Sequence, residues 1–156
     1  MIEINIPGFR DLRLAHLVLD YNGTLALDGR LLPGVAEALT FLAPQINIHI
    51  ITADTFGLAT AQLQGLPVTL NIVPVESQAQ TKLAYITSLG GENVVAIGNG
   101  RNDQKMIEAA ALGIALIQRE GGSIETFTKA DIALTSILDA LDLLKNQKRL
   151  IATLRC

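Results

Sequence analysis

The sequence predicts an α/β protein: a three-layer α/β/α sandwich built on a central parallel β-sheet. Two observations carry this. Short apolar runs alternate with helix-length amphipathic segments from residue 15 to residue 146, the order that gives a parallel sheet with helices on both faces and right-handed crossovers. The runs are also continuously apolar and rich in Val and Ile, as strands covered on both sides are. At 156 residues the chain suits one domain, taken as residues 1–156, and a domain of that size buries enough surface to fold without a disulfide or structural metal.

Taken in order, "IEINIP" (2–7) alternates Ile2, Ile4 and Ile6 and is expected as an extra edge strand. "AHLVLD" (15–20) is the first strand of the sheet. "LALDGRLL" (25–32) places Asp28-Gly29 between apolar flanks, a hairpin signal directly after Asp20. A helix follows over 33–44, with Pro33 near its start and Pro44 as its stop. "INIHIIT" (46–52) is the second strand, and 55–65 a helix closed by Gly65. "VTLNIV" (68–73) is the third strand. The segment 77–91 is a helix capped by Ser77 and closed by Gly90-Gly91. "NVVAIG" (93–98) is the fourth strand. A helix opens on Asn102 or Asp103 and closes on Gly113, "GIALI" (113–117) is the fifth strand, "DIAL" (131–134) a sixth, and 136–146 a last helix.

Composition excludes several functions. Net charge is −3 with no long basic block, so charge-driven binding to nucleic acid or an anionic membrane is not expected. No apolar run reaches the ~18 residues of a membrane span. No signal peptide is seen, and the single cysteine, Cys156, suits a reducing cytoplasm. His16 and His49 lie in different strands and are read as structural, not as a zinc site.

Ligands of an open parallel sheet bind outside the carboxyl ends of its strands. The first strand ends in Asp20, followed by Asn22, Gly23 and Thr24; the second ends in Thr52, with Ala53 and Asp54 behind it; the fourth runs into "GNGRND", residues 98–103. Lys82 lies on the helix before the fourth strand. A carboxylate ending an apolar strand can be a nucleophile that forms an acyl phosphate, provided cations and hydrogen bonds keep it ionised. Asp20 and Asp103 form a hard-oxygen pair suited to Mg²⁺. Lys82 would neutralise phosphate charge and Thr52 would donate a hydrogen bond to it. Taken singly, Asp103 is a helix cap and Lys82 a solvated helix residue, and only their register with Asp20 lifts them; Asp54 is read as an N-cap for the helix from Thr55.

"LVLDYNGTL", "IIT", Lys82 and "IGNGRND" resemble the four ordered motifs of the haloacid dehalogenase superfamily. The segment "MIEAAALGIAL" and the "TAD" of residues 52–54 are similar to the phosphorylation domain of P-type ATPases. The resemblance covers residues 15–103 and implies a Rossmann-like fold and a phosphohydrolase. It makes Asp20 the phosphoryl-accepting nucleophile. Thr52, Lys82, Gly23, Ala53 and Asn102 become the phosphate-binding residues, and Asp20, Asn22, Asn99 and Asp103 the Mg²⁺ site. Two departures stand out. Asn22 occupies the position of the usual acid–base aspartate, whose loss costs roughly 10²–10⁴ in rate, and Asn99 replaces an aspartate of the acidic loop. Turnover is therefore expected to be slow, and the alternative is a phosphate- or ligand-binding regulatory module. The 31 residues between Asp20 and Thr52 and the 29 between Thr52 and Lys82 leave no room for a cap domain, only for the short hairpin as a flap. Relatives without a cap use large substrates or a neighbouring subunit, so a phosphorylated substrate and a homodimer or homotetramer are expected.

Overall fold

A computed structural model describes residues 1–156. Its centre is a six-stranded, all-parallel sheet. The strands are β3 (His16–Asp20), β6 (Asn47–Thr52), β7 (Thr69–Ile72), β8 (Val94–Gly98), β9 (Leu112–Leu116) and β10 (Ile132–Leu134), in the order β10-β9-β8-β3-β6-β7. The chain builds outward from β3 through β6 to β7, then returns to the other side of β3 for β8. That reversal opens a crevice at the carboxyl ends of β3, β6 and β8.

Strand periodicity decides what faces what. Leu17, Leu19, Ile48, Ile50, Val95 and Ile97 share one core with α1 (Val35–Leu42) and α6 (Ile137–Lys145). Val18, Ile51, Val94 and Ala96 face the opposite way, onto Ile86 of α3 (Gln78–Leu89) and Met106 and Ile107 of α4 (Gln104–Ala109). Asp20 is two residues beyond Val18, so its side chain points to the α3–α4 side. Tyr21 points the other way. Its phenol donates to the carbonyl of Gly29 at 2.8 Å and so pins the flap. Burial and the Asp54 charge raise that phenol to about 12, which keeps it a donor.

The flap is the expected hairpin, β4 (Ala26–Leu27) and β5 (Arg30–Leu31), turning through Asp28 (φ 51°) and Gly29 (φ 82°). Two consecutive left-handed residues match the twist of a two-residue hairpin. No cap domain is inserted: beyond the flap and α1, the segments between the motifs hold only α2 (Ala59–Gln62) and β7.

Several expectations are corrected. Residues 2–7 are not an edge strand of the main sheet. β1 (Ile2–Ile6) pairs antiparallel with β2 (Arg10–Leu14), for which only Leu12 and Leu14 supply an apolar alternation. The helix expected over 55–65 shrinks to α2. Asp54 adopts φ 51° and Gly57 φ 69°, and the Asp54 carboxylate reaches over the intervening loop to accept from the Ala59 amide at 2.9 Å. Ser77 makes no side-chain cap; it sits at φ 59° before α3. Gly113 does not end a helix but lies inside β9, where a Cβ would stand 2.4 Å from the carbonyl oxygen of Ile107. Glycine is what lets β9 lie against α4. Helices α5 (Ile124–Lys129) and α7 (Gln147–Leu154) go unannounced in the sequence pattern.

Candidate active site

Asp20 ends β3 in a buried position, and two side chains donate to it. The Lys82 ammonium, fully buried on α3, lies 2.9 Å from Asp20 Oδ1, 2.7 Å from Asp103 Oδ1 and 3.4 Å from Asn102 Oδ1. The Thr24 hydroxyl stands 3.2 Å from Asp20 Oδ2 and 3.3 Å from Asn99 Oδ1, so its single proton serves both. Asp103 Oδ2 accepts from the backbone amides of Asn99 (3.2 Å) and Gly100 (2.9 Å). Gly98 makes room for this: a Cβ there would meet Asp103 Cγ at 2.5 Å.

Two carboxylates thus share one cation. Burial first, and the Asp103 charge second, push the Asp20 carboxyl up to about 6 against the pull of Lys82. Desolvation pulls the Lys82 ammonium down, but Asp20 and Asp103 outweigh it and raise it above its ordinary value. Lys82 is therefore charged at neutral pH, while Asp20 is only moderately acidic.

Above this cluster opens a cleft of about 170 Å³ lined by Asp20, Asn22, Thr52, Ala53, Thr55, Gln78, Asn99, Gly100 and Asn102. Asp20 is the one ionisable side chain among them. Thr52 Oγ1 accepts from the Asp54 amide at 2.9 Å, which leaves its proton free to donate into the cleft. Asn102 Nδ2 donates to Gln78 Oε1 at 2.9 Å. Asn22 Oδ1 is buried with no hydrogen-bond partner, an orphan acceptor at a polar wall.

Seven of the nine residues expected to form the site therefore line the cleft or contact Asp20 directly. The other two do not line it. Asp103 is fully buried, with Oδ1 accepting from Lys82 and Oδ2 from two amides, which leaves one lone pair on Oδ1. Gly23 stands just outside, with its amide donating to the Ala26 carbonyl at 2.9 Å. Asp54 sits behind the wall, holding Thr52 and α2. Sequence reasoning missed Gln78 and Thr55, since a glutamine at a helix start and a loop threonine carry no local signal.

Residues 71–122 match the family model of haloacid dehalogenase-like hydrolases. The chain is 43% identical over 83 residues to an uncharacterised protein from Methanocaldococcus jannaschii (MJ0073), an alignment covering 51% of this chain and 89% of that one. Its fold is similar to the 3-deoxy-D-manno-octulosonate 8-phosphate phosphatase of Moraxella catarrhalis, solved with magnesium, phosphate and the sugar acid: TM-score 0.65, 18% identity, covering 90% of this chain and 93% of the enzyme. It is also similar to a part of a zinc-transporting PIB-type ATPase: TM-score 0.60, 25% identity, covering 79% of this chain and 20% of the pump.

Proposed function

The chain belongs to the haloacid dehalogenase-like hydrolases, and on that footing we propose that it is a slow, Mg²⁺-dependent phosphohydrolase working through an aspartyl-phosphate at Asp20. The observation that supports this most is the Asp20 carboxylate, the one ionisable side chain lining a small polar cleft, held by Lys82 and Thr24. An Asp20 oxygen attacks phosphorus, the ester P–O bond breaks, and the leaving oxygen takes its proton from water. A water then attacks phosphorus, the bond to Asp20 breaks, and the carboxylate and free phosphate are regained. Lys82 orients Asp20 and offsets part of the local negative charge, and the Thr52 hydroxyl holds a phosphoryl oxygen.

The cleft oxygens of Asp20, Asn22 and Asn99 would hold the cation. The orphan Asn22 Oδ1 and a single cleft carboxylate suit Mg²⁺, which needs few protein ligands beside water and phosphate. When bound, the ion neutralises charge on the transferring group.

Asn22 cannot exchange a proton at neutral pH, and no other acid or base lines the cleft. That same observation favours the second reading, a phosphate-binding regulatory module that turns over scarcely at all. Phosphate release from an aryl phosphate separates them. Under the first reading Asp20→Asn abolishes release and Asn22→Asp raises it by roughly 10²-fold or more. Tight beryllofluoride binding at Asp20 with no measurable release in either the native or the Asn22→Asp protein would establish the second.

A further inference from the structure

The turn that carries Asp20 into the flap rests on two backbone acceptors, the Ala26 carbonyl, which takes the Gly23 amide at 2.9 Å, and the Tyr21 carbonyl. The amides of Thr24, Leu25 and Ala26 all converge on one acceptor, the carbonyl of Tyr21, at 3.2, 2.9 and 3.1 Å. A carbonyl has two lone pairs, so three donors cannot all be well served. Yet the turn must be held closely, because one Thr24 proton spans Asp20 Oδ2 and Asn99 Oδ1 at 3.2 and 3.3 Å, near the limit at which such bonds weaken.

An external anchor reaches the turn from the loop between β9 and α5. Half-buried Gln118 uses its whole side-chain amide: Nε2 donates to the carbonyls of Gly23 (3.1 Å) and Thr24 (3.0 Å), and Oε1 accepts from the amide of Ile137 (2.8 Å), the first residue of α6. Its orientation is fixed, since flipping the amide would set an oxygen against two carbonyls. The same loop holds Asn99: Nδ2 donates to the Gly121 carbonyl at 3.0 Å, and the Asn99 carbonyl accepts from Ser123 at 2.8 Å.

We propose that Gln118 is a positioning residue for the nucleophile turn, fixing residues 20–24 so that the Thr24 hydroxyl orients Asp20. It does not line the cleft and acts only through the turn. Its consequence for phosphate chemistry rests on the reading of Asp20 as nucleophile; its hold on the turn does not.

Two variants separate its bonds. Gln118→Met removes all three. Gln118→Glu keeps the acceptor for Ile137 and loses both donors to the turn. Amide hydrogen exchange at Thr24 and Leu25 is expected to quicken about tenfold in both, and at Ile137 only in Gln118→Met. Beryllofluoride affinity is expected to fall about tenfold in both. Native exchange at Thr24 and Leu25 in Gln118→Glu overturns the proposal. So does a loosened turn with unaltered beryllofluoride affinity, because Gln118 then orients nothing that matters at Asp20. If the native protein itself neither binds beryllofluoride nor hydrolyses an aryl phosphate while the turn loosens as expected, the nucleophile reading fails and the anchoring stands.

Discussion

The two ends of the strand pair β3–β6 are built in opposite ways, and α3 serves both. At the carboxyl end, Lys82 of α3 sits between Asp20 and Asp103, fully buried and charged. Away from that cluster, Tyr85, three residues further along α3, meets a relay that runs from Asn71 of β7 through His49 in mid-β6 to His16 at the amino end of β3. Its hydroxyl is 2.8 Å from His49 Nδ1 and 3.0 Å from Asn71 Nδ2, and His49 Nε2 is 3.0 Å from His16 Nδ1. With Asn71 donating to the phenol oxygen and the phenol donating to His49, the remaining proton of His49 points to His16, so the line of donors is satisfied with no charge. Burial, and then the neighbouring His16, lower the pKa of His49 and keep it neutral. One contact of the helix is a concentrated charge cluster that a phosphate chemistry can use. The other, one turn on, is a relay that only holds.

The contrast breaks most sharply at Lys82. Lys82→Met leaves two buried carboxylates without their cation and is expected to cost ~3–5 kcal/mol in urea unfolding. Next comes Gly98→Ala, which drives a Cβ into Asp103; overpacking of this kind costs about 1–3 kcal/mol and should show as a lower urea midpoint at unchanged slope. At the quiet end, Tyr85→Phe removes hydrogen bonds worth ~1 kcal/mol and should leave beryllofluoride binding at Asp20 unaltered. A loss as large as that of Lys82→Met would mean the two ends are not distinct.

The smallest effect is a difference of sign with pH. The folded-state pKa of Asp20 is raised, so the stability it contributes is complete below 3.8 and is lost as pH rises through about 6. That of His49 is lowered, so its contribution is complete above 6.5 and falls away on acidification. Between about pH 7 and about pH 5 the two oppose each other. Relative to the native protein, Asp20→Asn should make the melting temperature drop more on acidification, and His49→Gln should make it drop less. Equal slopes would remove the electrostatic distinction between the ends.

Much of this is legible in the residues. Five of the six main strands stand out as apolar runs because both faces of a parallel sheet are covered, and Asp28-Gly29 announces the flap because few other pairs accept two left-handed residues. Asp20, Thr52 and the 98–103 loop are found because a ligand site in this architecture must lie at strand ends. β2 is hidden because an exposed strand with two buried leucines has no strong period. α2 is overestimated because nothing in "TFGLATAQLQG" reports that Asp54 bends left and reaches five residues ahead.

The sequence by itself determined the layers, the order of strands and helices, and which polar residues gather at one edge, because hydrophobic period and turn chemistry act over a few residues. Only the tertiary structure decided that Asp103 takes Lys82 and two amides as its partners, and that Gln118 reaches back 94 residues to Thr24. Which partner a buried polar atom takes depends on the register of distant segments, and no local pattern of residues encodes that.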